Sequence, residues 1–446
     1  MRKLARLFKP SLPAALVLLF ALPALAQTGG ASATQKDDGR VVEQAKYELP
    51  AFDELPERFR RRHTREQVET MRAAGLELSK IKYLSDGLKI NGFVFKPKHA
   101  AGQKLPAVIF NRGGAEDGLI SAANFNYLYE MHRLAEAGFV VLASQYRGAD
   151  GSEGRDELGG ADTKDVINLI ETARSLGYVD MGRVFMWGYS RGGLMTLQAV
   201  AAGAPLRAAV VVGPPTDWEL SLRQNPGLLQ LVRARWPDFD ARRDYYMNLR
   251  SPARWADKLT VPLLIFQGGA DPAVSPQQAL LLAQRMEEAG NLYELVVYAR
   301  DDHPISVNAE DRIRKTIDWF KNVRVPSVVQ PLRSVLREQG VEAAVRRYHE
   351  LKKTAADRYD FAEAELNNFG YELLFTGRVK EAVEIFKLNV AAYPEAFNTY
   401  DSLGEAYLAD GQRDLAVKNY KRSLELNPQN TNAVDVLKRI GEQVKQ

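Results

Sequence analysis

A serine held between glycines at the end of an apolar run is the residue in this chain best placed to do covalent chemistry. The stretch Val184-Phe-Met-Trp-Gly-Tyr-Ser190-Arg-Gly-Gly-Leu-Met-Thr reads as a strand, then Gly188-x-Ser190-x-Gly192, then a helix. Such a turn is tight enough that a Cβ at Gly188 or Gly192 would meet neighbouring backbone, and Ser190 is expected in a strained conformation with its hydroxyl outward. A serine presented in this way is a nucleophile for acyl transfer once a base stands beside it. The bare pattern is short, so its weight comes from the flanking strand and helix and from partners elsewhere in the chain.

Those partners follow by elimination. Where a nucleophile sits on a strand-to-helix turn, the acid comes later in the chain and the histidine last. The chain has five histidines, and only His303 and His349 follow Ser190. His349 lies in a helical pattern of a separate, repeat-like region and is read as a solvated or capping side chain. His303 lies in Tyr298-Ala-Arg-Asp-Asp-His-Pro, just after an apolar strand, where a base would be presented. The acid is read as Asp271, which ends Val261-Pro-Leu-Leu-Ile-Phe-Gln-Gly-Gly-Ala-Asp: an apolar strand, small turning residues, then a carboxylate. Its task would be to orient the His303 ring and stabilise the imidazolium. Asp301 and Asp302 are so near His303 in sequence that they read as a polar turn. No second histidine lies at ligand spacing near them, which disfavours a metal hydrolase, and no cofactor is expected.

The elements that must position these residues are legible. Lys80 to Phe95 alternates apolar and polar positions around Asp86-Gly87, a hairpin signal. Apolar strands then alternate with helical stretches: Ala107 to Phe110, Phe139 to Ala143, Val184 to Trp187, Ala208 to Val212, Leu263 to Gln267 and Leu295 to Tyr298. Strands buried on both faces and separated by helices imply a mostly parallel α/β sheet with helices on both faces. Residues 217–250 interrupt the rhythm with Trp218, Trp236 and Tyr245 and read as a helical cap over the site, while an arm before the hairpin carries an expected helix from Glu57 to Ala74.

After Val325-Pro326 the texture becomes helical and repetitive. Gly370, Gly377, Ala382, Phe386 and Pro394 recur 34 positions later as Gly404, Gly411, Ala416, Tyr420 and Pro428, the tetratricopeptide period. A degenerate helical pair precedes them. So short an array is expected to lean on the rest of the chain or on a second copy.

Arg2, Lys3, Arg6 and Lys9 precede an apolar run ending in Ala24-Leu-Ala26, the layout of an export signal cleaved after Ala26. That segment holds four of the 60 basic residues and none of the 56 acidic ones, so the processed chain carries 56 of each. Neither nucleic acid nor an anionic membrane is an expected partner of a formally neutral protein. The absence of cysteine excludes disulfides, thiolate catalysis, a lipoprotein anchor and cysteine-based metal sites.

With these residues assembled, the region from Ile81 to Val323 resembles the catalytic domain of the prolyl oligopeptidase family of serine peptidases. The landmarks are Ser85-Asp-Gly-Leu-Lys-Ile-Asn-Gly, Gln145-Tyr-Arg-Gly-Ala-Asp-Gly-Ser-Glu-Gly, Gly188-Tyr-Ser-Arg-Gly-Gly, Gly268-Gly-Ala-Asp271 and the loop holding His303. The resemblance implies an α/β-hydrolase fold followed by an all-α tetratricopeptide-like domain. The divisions are a signal over 1–26, a linker and arm over 27–76, the catalytic domain over 77–325 with its cap at 217–250, and the repeats over 326–446. Ser190, Asp271 and His303 would form the triad, and the Arg191 backbone N–H would receive the oxyanion together with the Asn111 side chain or a backbone N–H near Arg112. Asn111-Arg-Gly-Gly departs from relatives, which carry His-Gly-Gly or a tyrosine there. Fewer than 80 residues precede the hairpin, leaving no room in this chain for the substrate-filtering propeller of those relatives. The expected activity is cleavage of peptide bonds by an exported, periplasmic or secreted, serine hydrolase. Its alternatives are a carboxylesterase acting on small acyl esters and a binding protein whose repeats recruit a protein partner while the hydrolase domain serves as scaffold.

Overall fold

In the computed structural model, which describes residues 38–442 apart from 56, 62–63, 98–101, 115–124, 324–325 and 357–358, the apolar runs are strands of one nine-stranded sheet. The expected export signal lies outside the described residues. The strands are β1 (Val41–Lys46), β2 (Glu77–Ser85), β3 (Leu88–Lys96), β4 (Leu105–Asn111), β5 (Val140–Ser144), β6 (Val179–Tyr189), β7 (Ala208–Val212), β8 (Leu263–Gly268) and β9 (Tyr293–Tyr298). Their spatial order is β1-β2-β3-β5-β4-β6-β7-β8-β9. The first three pair antiparallel, β3 joins β5 antiparallel, and the rest are parallel. Asp86 and Gly87 both have positive φ, as a two-residue hairpin turn demands.

The short α1 (Glu57–Arg60) lies in the arm, and helices cover both faces of the sheet: α2 (Arg65–Ala73), α3 (Phe125–Glu136), α4 (Thr163–Ser175), α5 (Arg191–Ala201), α9 (Gln277–Ala289) and α10 (Ala309–Asn322), with α6 (Trp218–Gln224), α7 (Leu228–Arg235) and α8 (Arg243–Arg250) forming the insertion between β7 and β8. Each face of the sheet has its own buried apolar cluster. One packs β-strand side chains such as Ile109, Met186 and Ile265 against α4, α5 and α9, and the other packs Phe110, Trp187 and Phe266 against α3 and α10. At about 25 cal/mol per Å² of buried apolar surface, these two layers supply the main driving force for the domain.

The arm departs from the single expected helix. Its longer piece starts afresh at Arg65, because Thr64 caps it by accepting from Gln67 N–H while the Gln67 side chain accepts from Thr64 N–H. The strand β1 was not legible, since its residues are partly or wholly exposed along a sheet edge and show no clean alternation.

The helical region runs through α11 (Val329–Gln339), α12 (Val341–Thr354), α13 (Glu363–Phe375), α14 (Val379–Ala392), α15 (Phe397–Ala409), α16 (Arg413–Leu426) and α17 (Thr431–Arg439). The repeat has a direct packing cause. A Cβ on Gly370 would sit 2.5 Å from the Phe386 ring, and one on Gly404 would sit 3.0 Å from the Tyr420 ring, so each glycine admits the aromatic residue of the paired helix. The apolar cluster of this region draws only on residues 328–440. Its buried apolar cluster therefore draws on no residue of the hydrolase domain.

Candidate active site

Ser190 stands at the junction of β6 and α5 with φ 52° and ψ −120°. Its N–H donates to Val212 O at 2.8 Å across to β7, and its side chain makes no capping bond to its own helix. The hydroxyl is thus left uncommitted by the helix. The flanking glycines are required by close approach: a Cβ on Gly188 would lie 2.2 Å from Gly192 O, and one on Gly192 would lie 2.0 Å from Asn111 O. A non-glycine residue at positive φ costs on the order of 1–3 kcal/mol, a strain that the surrounding strands must sustain.

Asp271 and His303 meet although 32 residues separate them. His303 Nδ1 lies 2.6 Å from Asp271 Oδ2. Asp271 Oδ1 also accepts from Ala273 N–H at 2.8 Å and Val274 N–H at 2.9 Å, and Oδ2 accepts from the Gln267 amide at 3.1 Å. A buried carboxylate bonded this fully is fixed in orientation. It selects the histidine tautomer with hydrogen on Nδ1, leaving Nε2 as the basic nitrogen.

Two glycine positions let the loops come together. A Cβ on Gly268 would lie 2.1 Å from Asp302 O, and Ala270 N–H donates to Asp301 O at 2.9 Å, so the turn after β8 nests against the turn after β9. Gly213, at φ +53°, follows the Val212 that holds Ser190, and a Cβ there would be 3.0 Å from His303 Nδ1 and 3.4 Å from Asp271 Oδ2. Histidine and aspartate therefore meet beside Gly213, the residue after the one that accepts from the Ser190 N–H. The tilted contact of the Tyr189 ring with His303, 4.9 Å between centroids, closes the same corner. Gly213 was missed from sequence, though Gly213-Pro214 after a strand marked a turn there.

Asp301 and Asp302 shape the histidine loop. Asp301 is buried and accepts from Val307 N–H and the Asn308 amide, while Asp302 accepts from the N–H and hydroxyl of Ser306.

Asn111 requires a correction. Its Nδ2 donates to Thr196 Oγ1 at 2.8 Å, and the residue is fully buried between β4 and α5. That amide ties strand to helix instead of facing an incoming substrate. The backbone N–H of Gly113 donates to the Tyr127 hydroxyl at 3.1 Å. Tyr127, from α3, packs against Phe110 and Tyr189, and burial raises its phenol well above the usual range. It stays protonated and, having accepted from Gly113, keeps its own O–H to donate. Sequence alone offered no signal for it, because nothing local links a tyrosine on a helix to the end of β4.

Both terminal nitrogens of the Arg191 guanidinium are engaged. It pairs with Asp156 at 2.7 Å and Asp162 at 2.5 Å, donates to Gly114 O at 3.1 Å, and lies over one face of Tyr146 at 4.7 Å. Arg112 stacks on the same ring at 4.6 Å. The paired carboxylates raise the Arg191 pKa despite burial. This network clamps the loop after β4 to the start of α5, where the Arg191 backbone N–H, at the first helical position, lacks an intrahelical acceptor. The cap packs beside it, with Trp218, Val232, Trp236 and Met247 clustered on Leu194 of α5.

A mostly parallel sheet with a serine on a strand-to-helix turn and a histidine–carboxylate pair at the ends of later strands defines an α/β-hydrolase. Residues 124–324 match the prolyl oligopeptidase family, and residues 397–430 match the tetratricopeptide repeat. The chain thus carries a domain of the prolyl oligopeptidase family of serine peptidases, followed by a tetratricopeptide region. It is 26% identical over 250 residues to the uncharacterized peptidase YtmA of Bacillus subtilis, covering 55% of this chain and 94% of that one. A probable dipeptidyl-aminopeptidase B of Sclerotinia sclerotiorum is 26% identical over 259 residues, covering 53% of this chain and 26% of that one. The acylaminoacyl peptidase structure of Pyrococcus horikoshii aligns with a TM-score of 0.50 at 20% identity, over 57% of this chain and 43% of the other, and shares the fold. This chain spans almost all of the bacterial relative but about a quarter of the fungal one. Among the described residues β1 is the one strand that precedes the hairpin strands, and there is no propeller-sized region. No helix among them is long and apolar enough to cross a membrane.

Proposed function

We propose that this protein is an exported serine peptidase that cleaves short peptides through an acyl-enzyme, with Ser190 as nucleophile, His303 as general base and acid, and Asp271 as orienting carboxylate. The observation that carries the reading is the 2.6 Å contact between His303 Nδ1 and a buried, multiply hydrogen-bonded Asp271, set beside Gly213, which follows the residue that accepts from the N–H of the strained Ser190. Ser190 Oγ attacks the substrate carbonyl as its proton passes to His303 Nε2. The tetrahedral oxyanion is received by the Arg191 backbone N–H and the Tyr127 hydroxyl. His303 then protonates the leaving amine, and water repeats the sequence in reverse to free the acid. A preorganised donor of this kind is worth about 3–4 kcal/mol in the transition state. Peptide over ester specificity is supported by the family and by the names of the relatives, and activated esters should be turned over by the same machinery. Export is supported by the amino-terminal charge and apolar pattern, and the repeats supply a surface for a protein partner.

The test is labelling with a fluorophosphonate followed by a panel of short peptide and p-nitrophenyl ester substrates. The label should map to Ser190 and vanish in Ser190→Ala, and peptide amides should be cleaved. A native protein that neither labels nor turns over any substrate would remove the catalytic reading, and ester cleavage without amide cleavage would replace the peptidase with an esterase. Mass spectrometry of protein recovered from the cell envelope or medium should find Gln27 at the amino terminus.

A further inference from the structure

A second cavity, of about 620 Å³, lies between α4, the carboxyl-terminal half of α5 and the cap. Its volume falls in the range of small-molecule sites, roughly 300–1,000 Å³. Gln198 in its wall is eight residues past Ser190 along α5, about 12 Å at the helical rise of 1.5 Å per residue. The cavity is therefore distinct from the candidate active site.

Its lining is chemically one-sided. Ile167, Leu249, Tyr245 and Trp255 provide apolar and aromatic surface, and Tyr245 and Leu249 are 51% and 36% exposed, among the large apolar side chains this protein leaves in water. The charged residues lining it are Lys164 and Lys258, with no aspartate or glutamate. Neither lysine forms an ion pair with a described residue, although Lys164 lies in the field of the Asp38 carboxylate. The Arg242 guanidinium stacks 4.5 Å above the Tyr245 ring and adds positive charge at that side. The wall is built to last: Gln198 donates to Gly159 O at 2.8 Å and Leu249 O at 3.0 Å and accepts from the Thr163 hydroxyl, joining α4, α5 and the cap.

From this charge complementarity we infer that the cavity binds a hydrophobic monocarboxylate, an aromatic or medium-chain acid whose apolar body lies on Trp255, Tyr245 and Leu249 while its carboxylate meets Lys164 and Lys258. A neutral apolar molecule would leave the ammonium groups without a counter-charge, and a small inorganic anion would leave the aromatic surface wet.

The full-length protein is titrated calorimetrically with 1-naphthylacetate and, in parallel, with the neutral 2-(1-naphthyl)ethanol. The acid should bind with a Kd of about 1 mM or tighter and quench tryptophan fluorescence, with the alcohol at least about tenfold weaker. In the Lys164→Ala/Lys258→Ala double variant, affinity for the acid should fall about tenfold or more and affinity for the alcohol should not change. Trp255→Phe should remove most of the quenching while heat of binding persists. Absence of binding, equal affinity for acid and alcohol, or undiminished acid binding by a folded double variant would each overturn the inference.

Discussion

The two domains use backbone strain differently. Among the described residues, all seven non-glycine residues with positive φ lie in the hydrolase domain: Asp86, Tyr146, Asp150, Leu158, Ser190, Asp238 and Ile305. In the described helical region the positive-φ positions are Gly340, Gly377, Gly411 and Gly441, where glycine adopts the conformation without steric penalty. Three of the seven surround the candidate site: Ser190 itself, Tyr146 sandwiched between two arginines, and Ile305 two residues after His303. Both domains nevertheless use glycine to admit close neighbours, Gly188 and Gly192 in one, Gly370 and Gly404 in the other. Close approach serves packing in the repeats, whereas in the hydrolase it also fixes the turn on which the strained Ser190 sits.

The sharpest way to break this contrast is at Ser190. Ser190→Ala should lose turnover by roughly 10⁴-fold or more with an unchanged melting temperature, and Ser190→Gly should be equally inactive but more stable by about 1 kcal/mol, because glycine relieves the positive φ. Activity assays and thermal melts of the pair decide it, and equal melting of both variants would deny that strain is stored there.

The neighbouring carboxylates should separate function from folding. Asp271→Asn should fold and lose about 10⁴-fold in kcat through the wrong imidazole tautomer. Asp301→Asn, which loosens the loop bonds to Val307 and Asn308, should chiefly lower the melting temperature. A larger kcat loss in Asp301→Asn than in Asp271→Asn would reassign the acid.

His132 on α3 is buried, 3.5 Å from Glu136, and burial lowers its pKa from 6.5 to about 4. The unfolded chain takes up this proton first as pH falls. Stability from this group is therefore full above pH 6.5 and is lost as pH drops towards about 4, by up to roughly 3 kcal/mol. Denaturation of the native protein and His132→Leu across this window should show the smaller slope in the variant, with catalysis little affected at pH 7.

Asn111→Ala removes a buried bond to Thr196 and should cost about 1–3 kcal/mol of stability, with kcat and KM in the folded protein close to native. A selective loss of kcat would return the Asn111 amide to the oxyanion. The smallest effect on catalysis belongs to Gly370→Ala: overpacking against Phe386 should destabilise the helical domain by about 1–3 kcal/mol while ester or peptide turnover by the hydrolase domain stays native. Calorimetry should then show one of two transitions shifted, and a single shifted transition for the whole chain would show that the domains unfold together.

Contiguous patterns determined much of this protein. The apolar runs, the Asp86-Gly87 turn, the Gly-x-Ser-x-Gly elbow and the 34-residue period each encode a geometry that a few adjacent residues can enforce by sterics and periodicity. The pairing of Asp271 with His303 was also legible, since chain order and a supply of five histidines left few combinations. Edge strand β1 was not, because a strand with little buried surface needs no alternation. Tertiary structure alone decided the fate of polar side chains whose partners are distant: Asn111 meets Thr196 across 85 positions, and Gly113 meets Tyr127 from a packed helix. A hydrogen bond over a few ångströms depends on how two elements lie against each other, and no local propensity of either residue carries that information.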